Sequence, residues 1–145
     1  MSIVINQIDL QISVPNRDIF YERWRKITDN NPDHDPIEIY FSRLIGMAES
    51  MKGNAGVIER IKSQDNCAGY TCAKGVLRQK YRITSQLPTH SLTSILFFGT
   101  ILKDDYGFFR VPVLYFSNCD WFLVFRNLRE GFSGDDYLAT FNKKD

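Results

Sequence analysis

Asp35-Pro36-Ile37-Glu38-Ile39-Tyr40-Phe41-Ser42-Arg43-Leu44-Ile45 begins the chain's clearest periodic segment, which runs on through Ala48 and Met51 to Gly53. Asp35 stands where an N-cap would. Pro36 takes the first helical position, and Glu38 lies close to the place of a capping-box acid. Ile37, Tyr40, Phe41, Leu44, Ile45, Ala48 and Met51 recur at three- and four-residue spacing, the stripe of an amphipathic helix. Gly53 is a suitable stop. The pattern predicts a helix over 36–53.

Upstream, Ile8, Leu10, Ile12 and Val14 alternate with polar neighbours, the period of a half-buried strand. Asn16 is placed to cap a helix carrying Ile19, Phe20, Trp24 and Ile27. The segment 29–35, rich in Asn and Asp, reads as a loop. Downstream, Asn54 can cap a helix with Val57, Ile58 and Ile61. A further helix is expected from about Tyr70 to Arg82, and Leu87-Pro88 ends the helical half, because the residue before proline avoids the α region.

From Leu92 the character changes. Ile95 to Leu102 and Phe109 to Tyr115 flank a turn at 103–107 and read as a β-hairpin, with Pro112 marking an edge or a bulge. Ser117 to Asp120 is another turn. Trp121 to Phe125, apolar on both faces, fits a central strand, with a short helix as the competing reading, and Tyr137 to Phe141 a last strand. The expectation is a single α+β domain over residues 1–145: a leading strand, about four helices, then an antiparallel, aromatic-rich sheet of three to five strands.

The composition is that of an ordinary folded domain, 43% hydrophobic and 24% charged, with 11 Phe and 7 Tyr to supply large apolar area. A net charge of +1 weighs against a protein built to coat DNA. Residues 1–14 lack the basic and apolar regions of a signal peptide, and no stretch approaches a membrane span. Three cysteines, an odd number, suit reduced thiols. A cytoplasmic location is expected.

The chemistry-bearing residues do not combine into a reaction. Asp29, Asn31, Asp33 and Asp35 have the alternation that opens a calcium loop, but His34 stands where Gly is needed and Tyr40 where a closing Glu is needed. Cys67, Cys72, His90 and Cys119 are spaced too loosely for a zinc site. His90, near Ser91, Thr93 and Ser94, has no nucleophile motif around it. No metal and no cofactor is expected, and a catalytic role is disfavoured.

Charge placement is more informative. Residues 67–90 carry four basic side chains and no acidic one, and no carboxylate side chain occurs from Asn66 to Leu102. Lys74, Arg78 and Arg82 recur every four residues, along one helix face, with Lys80 and Tyr81 beside them. Such a stripe can dock an acidic protein surface or grip nucleic-acid phosphates. It can also be a plain solvated face paired within the fold.

At the level of class, the small size, aromatic sheet and lack of a catalytic set resemble bacterial immunity proteins that neutralise a cognate toxin. A full core without assembled chemistry, together with the one concentrated charged face, leads to the expectation of a non-catalytic binding protein. It would occlude a protein partner through Lys74, Arg78, Lys80, Tyr81 and Arg82, and the resemblance implies an immunity-type inhibitor as its form. The alternative is a nucleic-acid-binding or metal-independent RNA-cleaving domain using the same basic face and His90. A third reading is a homodimer closed through an edge near Pro112.

Overall fold

The computed structural model describes residues 2–5, 24–32, 34–44, 61, 64–87 and 93–142. They form an eight-stranded mixed sheet and two α-helices, rather than about four helices followed by three to five antiparallel strands. The strands are β1 (Ser2–Ile5), β2 (Arg25–Asp29), β3 (Ile37–Arg43), β4 (Ser94–Leu96), β5 (Thr100–Lys103), β6 (Phe109–Ser117), β7 (Asp120–Asn127) and β8 (Asp136–Phe141). Helices α1 (Tyr70–Arg78) and α2 (Lys80–Gln86) lie between β3 and β4 in the chain. The expected strand Ile8–Val14, residues 45–53 and the helix capped by Asn54, apart from Ile61, fall outside the described residues.

The largest correction falls on the opening stretch. Residues 37–43 are a strand, with Ile37, Ile39 and Phe41 buried and Tyr40, Ser42 and Arg43 exposed. Two of the apolar residues counted toward a helical stripe, Ile37 and Phe41, therefore also satisfy period two together with Ile39, and remote partners choose between the periods. β3 pairs antiparallel with β1 on one side and with β8 on the other. Glu38 caps nothing. Its carboxylate accepts from the Ser2 hydroxyl at 2.8 Å, and its N–H donates to Asn142 Oδ1 at 2.7 Å. The helix expected through Ile27 is likewise replaced at its end by β2, which pairs with β5.

Strand order is β1-β3-β8-β4-β6-β5-β2, with β7 on the far side of β6, and β4–β8 is the parallel pair. β4 and β5 both pair with β6 and act as one interrupted strand. Residues 97–101 between the paired segments face only Val111 and Pro112, so Phe97-Phe98-Gly99 bulge out. Phe97 N donates to the Pro112 carbonyl at 2.9 Å. A strand residue's N and O point to the same neighbour, so the N–H that Pro112 lacks would face this interruption, where it costs least. Pro112 marks a bulge inside the sheet. It does not mark an edge, since β6 is flanked by β4 and β5 on one side and β7 on the other. The edge near Pro112 that a homodimer would have used is not open. Conversely, among the described residues Trp121–Phe125 pairs with β6 alone instead of lying centrally.

The β6–β7 hairpin closes where the sequence placed its turn. Asn118 and Cys119 take φ of 51° and 62°, the left-handed pair that matches strand twist in a two-residue hairpin. Both sheet faces are covered. On one, Ile3, Ile39, Leu114, Leu123 and Ala139 pack under Cys72, Ala73 and Val76 of α1 and Ile83 of α2. On the other, Leu96, Val113 and Leu138 pack with Leu44, Ile61 and Leu128. The two cores draw alternate residues of the same strands, which is why the aromatic and branched residues so densely fill the second half of the chain.

Candidate functional site

The expected helix 70–82 exists, but it is broken. Gln79 leaves helical geometry (φ −109°, ψ 35°), separating α1 from α2. Its side-chain amide donates to the Val4 carbonyl at 2.9 Å, fastening the corner to the edge of β1. Buried Cys72, Ala73, Val76, Ile83 and Leu87 keep a continuous apolar face across the break. Trp121 Nε1 donates to Thr84 Oγ1 at 3.1 Å and holds α2 against β7.

The break divides the basic stripe into three environments. Arg78 and Arg82 are exposed, and Tyr81 is 82% exposed. Arg82 donates to Gln79 Oε1 at 3.2 Å, and Arg78 meets no carboxylate among the described residues. Lys80 is tethered: its Nζ lies 3.0 Å from Asp120 Oδ1. That ammonium, with the Trp121 N–H, holds the Asp120 carboxyl below its usual range. Lys74 turns elsewhere. Its Nζ sits 5.3 Å from the centre of the Tyr70 ring, beside a cleft of about 330 Å³.

Trp24, Tyr70, Phe125, Lys26, Asp29, Thr71, Lys74, Thr100 and Leu102 line that cleft. The Trp24 and Tyr70 rings both stand against Phe125, at centroid separations of 5.9 and 5.2 Å. Trp24 is held from another side by Arg110, whose guanidinium carbon lies 5.3 Å from its ring centre. Arg110 is fixed in turn by the Phe125 carbonyl at 3.2 Å and by Asp104 Oδ2 at 2.7 Å. Burial pushes the Asp104 carboxyl up, but hydrogen bonds from Arg110 and the N–H groups of Phe108 and Tyr106 outweigh it and leave it lowered.

The opposite wall is built around two close approaches. Thr100 Oγ1 accepts from Tyr70 N, the first helical N–H, at 2.8 Å and donates to Asp29 Oδ1 at 2.8 Å. A Cβ on Gly69 would lie 2.6 Å from Thr100 Oγ1, and one on Gly99 would lie 2.3 Å from the Cys67 carbonyl oxygen. Glycine at both positions lets the segment before α1 lie directly on the β4–β5 bulge, which sets where α1 starts.

The remaining candidates scatter. Asp29 is engaged by Thr100, Asn31 and Lys26. Cys67 and Cys72 are buried, and burial raises the Cys72 thiol to about 12 despite an opposing hydrogen bond to Gly69. Cys119 is exposed in the hairpin turn. His90 lies outside the described residues. Sequence reading missed Trp24, Lys26 and Phe125 as cleft residues. The Tyr70–Lys74 pair, four apart on a helix, was the local signal available; Phe125 comes from a strand remote in the chain. Among the described residues no helix is long and apolar enough to cross a membrane. Comparison of the chain with protein-family models, curated proteins and solved structures gives no match.

Proposed function

We propose that the chain is a non-catalytic binding protein whose α1–α2 corner docks an acidic protein surface. The supporting observation is the exposure of Arg78, Tyr81 and Arg82 around the Gln79 break, on helices whose buried face is packed onto the sheet. Arginine and tyrosine on a rigid element make effective anchors, because little ordering is needed when the partner arrives. Lys80, neutralised by Asp120, contributes mainly packing to the rim, and Lys74 belongs to the neighbouring cleft. Occlusion of a cognate toxin, as by an immunity-type inhibitor, is the form of this reading in which the contact covers the partner's own working site.

The test is capture from nuclease-treated source-cell extract with the wild-type chain and with Arg78→Glu/Arg82→Glu as baits. A protein with an acidic face should be retained by the wild type and bound at least about tenfold more weakly by the double variant, with an unchanged melting temperature. Equal retention by both baits refutes this contact surface. Capture that disappears on nuclease treatment alone moves the stripe to the nucleic-acid alternative.

A further inference from the structure

The cleft beside α1 has a construction that protein docking at the corner does not use. Three aromatic side chains supply its walls, and one of them, Phe125, is 3% exposed and touched by the other two. Trp24 is held in place by Arg110, itself fixed by Asp104, so its ring is presented by a chain of side chains and not by a floppy rotamer. Two lysines reach the same space against one carboxylate. Lys26 lies 3.3 Å from Asp29 Oδ2, which leaves Lys74 with no carboxylate among the described residues. Aromatic walls favour a planar ring, and an unneutralised ammonium beside them favours an anion attached to that ring. A volume of about 330 Å³ is at the small end of ligand sites, suited to a single mononucleotide-sized molecule.

We propose that this cleft binds a phosphorylated planar aromatic ligand of the nucleoside monophosphate class, with its ring on the Trp24–Tyr70–Phe125 surface and its phosphate on Lys74. Lys26, 70% exposed and shared with Asp29, is a secondary contact for the phosphate. Arg78, Tyr81 and Arg82 line no part of the cleft, so this site stands or falls independently of the docking corner.

Titrations of the purified chain with AMP and with UMP, followed by tryptophan emission, test the proposal directly. The chain's second tryptophan, Trp121, is 4% exposed and hydrogen-bonded to Thr84, so it serves as an internal reference. Saturable quenching is expected with the wild type and should vanish in Trp24→Phe. Lys74→Gln should weaken it about tenfold, the loss of one charge-assisted contact. Adenosine should bind more weakly than AMP, and inorganic phosphate should compete without quenching. No emission change and no amide shift at Thr71, Thr100 or Leu102 up to about 5 mM AMP or UMP, where even a millimolar site would be mostly filled, overturns the proposal. Quenching that survives in Trp24→Phe also overturns it. So does binding of an oligouridylate far tighter than UMP, which would make the cleft part of a nucleic-acid groove.

Discussion

Replacing Asp104 with Asn should remove the clamp that holds Arg110 and, through it, Trp24. Asp104 Oδ1 accepts from the N–H groups of Tyr106 and Phe108, each at 2.9 Å, and Oδ2 accepts from Arg110 Nε at 2.7 Å. Asparagine can keep the first two bonds through its amide oxygen, but its NH₂ would then confront the guanidinium, donor against donor. The Asp104 side chain is 3% exposed and that of Arg110 25%. The pair therefore exceeds a surface ion pair, worth about 0–1 kcal/mol, and falls short of a fully buried one, whose breakage costs about 3–5 kcal/mol. A loss of about 2–3 kcal/mol follows. Urea unfolding is the assay, and with m near 2 kcal/mol/M the midpoint should drop by about 1–1.5 M. The emission of Trp24 should shift to the red as its contact with Arg110 loosens.

The same substitution has a pH signature. The Asp104 carboxyl is lowered in the fold relative to about 3.9 in the unfolded chain. Its contribution is therefore complete above that unfolded value and is lost as pH falls through the folded one. The gap between wild type and Asp104→Asn should be constant near neutrality and close only below about pH 4. A midpoint shift under about 0.3 M at pH 7, or a gap that narrows already between pH 7 and 5, would refute the clamp.

Three further outcomes are expected. Arg126 donates to both carboxylate oxygens of Asp136 and to Ser94 Oγ, joining β7, β8 and β4, and Asp136 is 2% exposed; Arg126→Met should cost about 3–5 kcal/mol in chemical denaturation, with Arg126→Met/Asp136→Asn recovering part of it. Gly99→Ala should cost more than about 4 kcal/mol or prevent folding, because the clashing atoms belong to backbone at Cys67, Ala68 and Gly69; near-native thermal stability would contradict the packing of that segment on the bulge. At pH 8 a thiol reagent should label Cys119 promptly and Cys67 and Cys72 only on unfolding. Above about pH 8.5, where the unfolded chain sheds a Cys72 proton that the fold retains, stability should decline.

Several elements could be read locally because their determinants are local. The hairpin turn at 117–120 lies in four consecutive residues, and α1 and α2 bond within themselves over three or four positions. The stretch 35–44 shows the opposite case. Ile37 and Phe41 fit an amphipathic helix and a one-sided strand alike, Leu44 supports the helical spacing and Ile39 the alternation, and the cap-like Asp35-Pro36 tipped the local reading toward helix. β1 and β8 supplied the hydrogen bonds that tipped the fold toward strand. A helix finds its partners within four residues, whereas a strand's partners lie wherever the chain returns, here about a hundred residues later at Phe141. The candidate sites divide along the same line. The basic face with Tyr81 was visible as spacing on one helix. That Gln79 would break it, that Asp120 would claim Lys80, and that Trp24, Tyr70 and Phe125 would meet beside Lys74 followed only from tertiary packing, which sets distances that no sequence interval encodes.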